Sequence, residues 1–191
     1  MIDIKWMILA GGKGSRLNNQ DKGLVIVHNK TIVEHIIHQL NVPKHQLLIN
    51  ANRNHSIYAQ YATVTPDLSN DYLGPLAGIQ SGMSTCDTEW LGVLPCDGPN
   101  LPKEFTTKML NNVSASKIHI AFDGEHTQPT YAVYHTSLLP ELNAFLKAGH
   151  RRLQQFQNSH SPHLIDFSQD KNDFKNINTL QDLIDYQQLS L

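Results

Sequence analysis

The sequence predicts an α/β fold: one domain on a mostly parallel sheet, with helices on both faces. Three observations predict it. Short apolar runs alternate with helix-length segments along nearly the whole chain. Several runs are near-continuously apolar, the pattern of strands covered on both sides. No linker-like stretch and no repeat at a 20–50 residue period divides the 191 residues, a length that suits one domain.

Each element has a local reason. Residues 4–10 (IKWMILA) are apolar and end at glycines, as a buried strand does. Residues 31–40 place Ile32, Val33, Ile36, Ile37 and Leu40 at helical spacing, with Thr31 as cap. Residues 46–50 and 63–65 read as strands, with a short helix at 56–60 between them. A Gly-Pro turn opens a helix over 74–84. The run 90–94 (WLGVL), stopped by Pro95, is another buried strand, followed by a helix over 102–111. Residues 118–122 and 130–134 are strands around a turn at Asp123-Gly124. A helix over 138–147 ends at Gly149 as C-cap. Two more helices follow, over 151–157 and 179–188, the last capped by Thr179.

Composition excludes several functions. The net charge of −2 argues against a general polyanion binder, so no nucleic-acid partner is expected. The N-terminal apolar run is too short for a signal peptide, and no run of about 18 apolar residues suits a membrane span. Cys86 and Cys96 form no CxxC pair, and the 11 histidines show no HxH or HExxH spacing. A cytoplasmic protein without a histidine metal site is the expectation.

Ligands in such sheets bind at the carboxyl ends of strands. The loop after the first strand is Leu9-Ala10-Gly11-Gly12-Lys13-Gly14-Ser15-Arg16, followed by Asp21-Lys22-Gly23. Three glycines in four residues let backbone N–H groups turn toward a ligand, and Lys13, Arg16 and Lys22 add positive charge; together they suit a triphosphate. It is neither a Walker loop, since no GxxxxGK[ST] is present, nor a dinucleotide fingerprint, since GxGxxG from Gly12 would end on Leu17. Asp97, in the turn Leu94-Pro95-Cys96-Asp97-Gly98-Pro99, offers a carboxylate to Mg²⁺, which takes one or two carboxylates plus phosphate oxygens. Cys96 reads as a small buried residue rather than a nucleophile. Asn50 and Asp67 follow strands, and a carboxylate can accept from both N1–H and N2–H₂ of guanine, so either residue suits the base or ribose. Turn capping by these same side chains is the structural alternative. Gly74 and Gly78 flank a helix start that suits an anion, and Arg151 with Arg152 suits a second phosphate.

The segments LAGGKGSR, DKG, NANR, GPLAG, LPCDGPNLP, QPTYA, GHRR and NINT stand in the order found in the molybdenum cofactor guanylyltransferases, the MobA proteins, which the chain resembles from about Ile4 to about Leu183. Leu17 stands where that family usually has Met. The resemblance implies a GT-A-like, Rossmann-like nucleotidyltransferase fold. It also implies transfer of GMP from GTP to molybdenum-loaded molybdopterin, giving the guanine dinucleotide cofactor and pyrophosphate. Leu9, Ala10, Gly11 and Gly12 would form the GTP loop, Lys22 would contact phosphate, and Asn50 and Asp67 would contact guanosine. Asp97 would bind Mg²⁺ and the nucleotide. Gly74, Gly78, Arg151 (or Arg152), Asn176 and Asn178 would serve molybdopterin, so that the N-terminal part of the 1–191 domain binds nucleotide and the C-terminal part the pterin. Expected partners are the molybdenum-insertion protein and the cofactor-accepting molybdoenzymes or their chaperones, around a monomer or weak oligomer. A cytidylyl or sugar-phosphate nucleotidyltransferase, or a silent nucleotide-binding module, are the alternatives.

Overall fold

The computed structural model describes residues 2–12, 21–69 and 74–189. Lys13, Gly14, Ser15, Arg16 and Leu17 of the glycine loop lie outside them. The strands are β1 (Ile4–Leu9), β2 (Ile26–Val27), β3 (Lys30–Thr31), β4 (Leu47–Asn50), β5 (Thr63–Thr65), β6 (Trp90–Pro95), β7 (Ile118–Phe122), β8 (Thr127–His135) and β9 (His163–Asp166). The helices are α1 (Ile32–Leu40), α2 (His55–Tyr58), α3 (Pro75–Thr85), α4 (Phe105–Asn111), α5 (Leu139–Lys147), α6 (Leu153–Asn158) and α7 (Leu180–Leu189).

Seven strands form one sheet in the order β5-β4-β1-β6-β8-β7-β9. Its pairings are parallel except for the two that β8 makes with β6 and β7. The β7–β8 hairpin turns at Asp123-Gly124, as the sequence predicts, and Gly124 adopts φ +96° there. Alternate side chains of each strand go to opposite layers. Trp6 and Ile8 of β1 pack with α1 and Phe105 of α4, whereas Met7 packs with Leu76, Ile79 and Met83 of α3 and with Leu142 of α5. Both faces are therefore covered, as the apolar runs require. No helix among the described residues is long and apolar enough to cross a membrane.

Helix ends follow capping chemistry. Thr31 Oγ1 accepts from Glu34 N–H while the Glu34 carboxylate accepts from Thr31 N–H at 2.6 Å, a reciprocal capping box. Thr179 Oγ1 accepts from Asp182 N–H at the start of α7. The cap of α5 is Ala148, with Gly149 (φ +87°) one position beyond it rather than at the cap. Gly149 N–H donates to Leu146 O and His150 N–H to Phe145 O, a Schellman closure.

Some boundaries differ from expectation. α4 starts at Phe105 rather than 102, because Glu104 takes a left-handed φ of +58° and stops helix propagation backwards. α6 starts at Leu153, with Arg152 extended before it, so Arg151 and Arg152 lie on the connection and not on a helix. The β2–β3 hairpin and edge strand β9 were not predicted.

The register sets the site. Leu9 pairs with both Asn50 and Pro95, and Asn50 with Thr65. The carboxyl ends of β1, β4, β5 and β6 therefore lie level along one rim, with the loops carrying Gly11, Asn52, Asp67 and Asp97 side by side.

Candidate active site

Two polar clusters occupy this rim. In the first, Lys22 Nζ donates to Asp97 Oδ2 at 3.1 Å and to Asn178 Oδ1 at 2.6 Å. Asp97 is placed by the end of β6. Its carbonyl accepts from Ile177 N–H at 2.7 Å, which draws the segment before α7 across the Asp97 turn. Ile177 is buried in the α1-side core and anchors that segment. Asn178 N–H donates to the Asp182 carboxylate at 2.9 Å. Asn176 lies close to Gly98, where a Cβ would stand 3.3 Å from Asn176 Oδ1 and would collide with the Tyr131 hydroxyl. Residues predicted for two different ligands, Lys22 with Asp97 and Asn176 with Asn178, thus meet at one place.

Asp97 Oδ1 is buried with no hydrogen-bond partner among the described residues. An unpaired buried carboxylate oxygen is costly unless something completes it. This hard oxygen ligand beside an ammonium fits Mg²⁺ shared with phosphate. Cys96 is buried and its thiol is pushed far up by burial and then by the Asp97 charge, so it stays protonated.

In the second cluster, Asp67 Oδ1 accepts from Asn50 Nδ2 at 2.9 Å and Asp67 Oδ2 from Asn52 Nδ2 at 2.8 Å. Asp67 N–H donates to Asn52 Oδ1 at 2.9 Å. Asn50 is only 3% exposed, and its amide also donates to Thr65 O. Both amide hydrogens are therefore used inside the protein, whereas Asp67 and Asn52 are half-buried.

The glycine loop is fastened by backbone bonds. Ala10 N–H donates to Asn50 O at 2.7 Å, and Leu9 O accepts from Cys96 N–H at 3.2 Å. A Cβ on Gly11 would stand 2.9 Å from Asn50 Oδ1 and 3.0 Å from Asn52 Nδ2, whereas at Gly12 it would meet nothing within 4 Å among the described residues. Gly11 is closed against the asparagines.

The residues predicted for the pterin separate. Gly74 is the exposed N-cap of α3, at φ +76°. Gly78 is buried on α3, where a Cβ would collide with Asn50 Oδ1 and stand 2.7 Å from Leu9 Cδ2, so it lies beneath the rim. Arg151 donates Nη1 to Leu146 O at 2.7 Å and to His150 O at 2.6 Å, at the end of α5. No hydrogen bond described for Arg151 joins it to the Lys22 cluster.

A third group was given no role from sequence. Asp21, buried beside Lys22, accepts at Oδ1 from Tyr58 OH at 2.5 Å and at Oδ2 from Asn54 Nδ2 at 3.0 Å, with Arg53 Nε 3.5 Å from Oδ2. The one signal for it in the sequence is an acidic residue directly before Lys22.

The fold is one that nucleotidyltransferases share. The architecture superposes on molybdopterin-guanine dinucleotide biosynthesis protein A from Archaeoglobus fulgidus with a TM-score of 0.80, at 20% identity over 98% of both chains. It superposes on 2-C-methyl-D-erythritol 4-phosphate cytidylyltransferase from Thermus thermophilus with a TM-score of 0.71, at 12% identity over 99% of both. Residues 6–163 match the model of the MobA-like NTP transferase domain. A molybdenum cofactor guanylyltransferase from Photobacterium profundum is 42% identical, covering 93% of this chain and 92% of the relative. One from Vibrio cholerae is 41% identical, covering 96% and 91%. The chain belongs to the family of the molybdenum cofactor guanylyltransferases.

Proposed function

We propose that the chain transfers GMP from GTP to molybdenum-loaded molybdopterin, and that the Lys22–Asp97–Asn178 junction is where the two substrates meet. The observation that carries this reading is that junction, in a chain of this family: a cation and a partly unsatisfied carboxylate at the rim, crossed by the segment of Asn176 and Asn178. A phosphate oxygen of the pterin attacks the α-phosphorus of GTP, the bond to the bridging oxygen of the β-phosphate breaks, and pyrophosphate leaves. The attacking phosphate is ionised at neutral pH, so positioning and charge neutralisation are the tasks left to the protein.

Lys22 leaves Asp97 for a phosphate oxygen when GTP binds. Asp97 would hold Mg²⁺, which when bound would neutralise charge on the phosphates. Gly11 and Gly12 offer N–H groups to the triphosphate, while Leu9 and Ala10 frame the loop through backbone bonds already made. Asp67 accepts from the guanine edge or the ribose, and Asn50 holds it from behind. Asn176 and Asn178 bind the pterin side, with Gly74 and Arg151 on the acceptor half, while Gly78 packs beneath the rim against Leu9 and Asn50. In this reading the N-terminal part of the domain binds nucleotide and the C-terminal part the pterin. The partners are a molybdenum-insertion protein upstream and molybdoenzymes or their chaperones downstream, in the cytoplasm.

The test is calorimetric titration of the purified chain with GTP and with CTP, each with Mg²⁺. Selective binding of GTP is expected. Selective binding of CTP would transfer the chain to cytidylyl chemistry.

A further inference from the structure

We infer that Asp21 and Tyr58 form a buried anchor that positions Lys22, and that this anchor acts on the affinity for the nucleotide triphosphate. The inference rests on the reading of Lys22 as a phosphate ligand. Lys22 lies between two residues locked by the same phenol. On one side, the Asp21 carboxylate accepts from Tyr58 OH at 2.5 Å. On the other, a Cβ on Gly23 would stand 2.6 Å from that same hydroxyl oxygen and 3.4 Å from Cys96 Cβ. Gly23 therefore lets the chain press against Tyr58 and against the strand end that carries Asp97. The Asp21 carbonyl also accepts from Leu24 N–H at 3.0 Å, closing the turn around Lys22.

This arrangement is expensive as packing alone. Asp21 is 8% exposed and Tyr58 fully buried, and a buried carboxylate needs several partners to be tolerated. A hydrophobic pair of similar volume would fill the same space at lower cost. The carboxylate adds direction: two oxygens, one held by Tyr58 and the other by Asn54 and the Arg53 guanidinium, fix the orientation of the backbone from which the Lys22 side chain departs. Lys22 must span to Asp97 and Asn178 at 3.1 and 2.6 Å, and a long flexible side chain does this reproducibly only from a fixed base. Asp21 and Tyr58 are positioning residues; neither touches the reacting phosphates.

A double-mutant cycle tests this. GTP affinity with Mg²⁺ is measured by calorimetry for the full chain, Tyr58→Phe, Lys22→Ala and the double variant, with the melting temperature of each. Lys22→Ala should weaken GTP by about ten-fold or more, the loss of a charge-assisted phosphate contact. Tyr58→Phe should weaken it by about three-fold or more, and should change it less than 1.5-fold once Lys22 is absent. Asp21→Asn, which keeps the shape and loses the charge, should follow Tyr58→Phe and serves as the second variant if the phenylalanine chain folds poorly. Equal losses with and without Lys22 would reduce the anchor to general packing and overturn the inference, as would wild-type affinity in Tyr58→Phe. If Lys22→Ala leaves GTP binding unchanged, the reading of Lys22 itself fails, and the inference falls with it by a separate and visible route.

Discussion

Asp97 carries two unequal oxygens, and the difference argues for its role. Oδ2 is paired with Lys22, while Oδ1 is buried and unsatisfied among the described residues. Asp97→Asn preserves shape and removes the charge. It should lower turnover by on the order of 100-fold or more, with a melting temperature near that of the parent chain. A rate within a factor of about two, from pyrophosphate release in the presence of Mg²⁺, would remove Asp97 from the metal-binding role. Asp67 makes a different prediction. Asp67 is the charged member of the Asn50–Asn52–Asp67 cluster and is half-buried, so Asp67→Ala should reduce the preference for GTP over CTP by about ten-fold. Competitive titration with the two nucleotides checks this, and an unchanged ratio would move base reading elsewhere. Lys22 and Asp97 were legible as single residues, because a glycine loop and an acidic turn each announce themselves locally. Their meeting with Asn178 was not, because 156 positions separate Lys22 from it and only the fold brings them together. The burial of Asn50 was not legible either, since burial of one amide cannot be read from its neighbours in sequence.

At the scale of elements, α3 shows why a glycine in the resemblance can be read as a ligand when it is also packing. Gly78 brings the helix against Leu9 and Asn50, the two residues that end β1 and β4. Gly78→Val should push Asn50 from Asp67, lowering stability by about 1–3 kcal/mol through overpacking and GTP affinity along with it. Thermal unfolding and GTP titration check the two parts. A stable variant with normal GTP affinity and weakened pterin binding would favour direct acceptor contact instead. The legible elements were those with a strong period or cap, such as α1 with its Thr31–Glu34 box and β6 with its apolar run. The hidden ones lack both. β9 is an edge strand of four residues with one buried side chain, so it carries no apolar run. The β2–β3 turn is built on His28 and Asn29, both at positive φ, a conformation that His does not advertise.

For the molecule as a whole, β8 divides the sheet: β5, β4, β1 and β6 lie on one side of it and β7 and β9 on the other. That far side holds the group that should govern stability in mild acid. His119 on β7 is fully buried, packed against the rings of Trp90 and His163. Its Nε2 accepts from Ser114 N–H at 2.9 Å, so the neutral ring carries its proton on Nδ1. A second proton would face that N–H donor without access to water, and burial, with a smaller effect from His163, depresses the pKa from 6.5 to about 4. The folded state therefore binds fewer protons than the unfolded state between these values. Stability is fully present above about pH 6.5 and is lost progressively as pH falls toward 4, by up to about 3 kcal/mol. The lowered carboxylates Asp123, Asp182 and Glu34 act in a separate window, since a depressed acid loses its contribution only below its ordinary value near 4. His119→Gln keeps an acceptor for Ser114 and cannot titrate. Denaturant unfolding at pH 7, 6, 5 and 4.5 should show a falling midpoint for the parent chain and a nearly level one for His119→Gln. Parallel slopes in the two proteins would mean that another group, and not this buried ring, sets the acid limit of the fold.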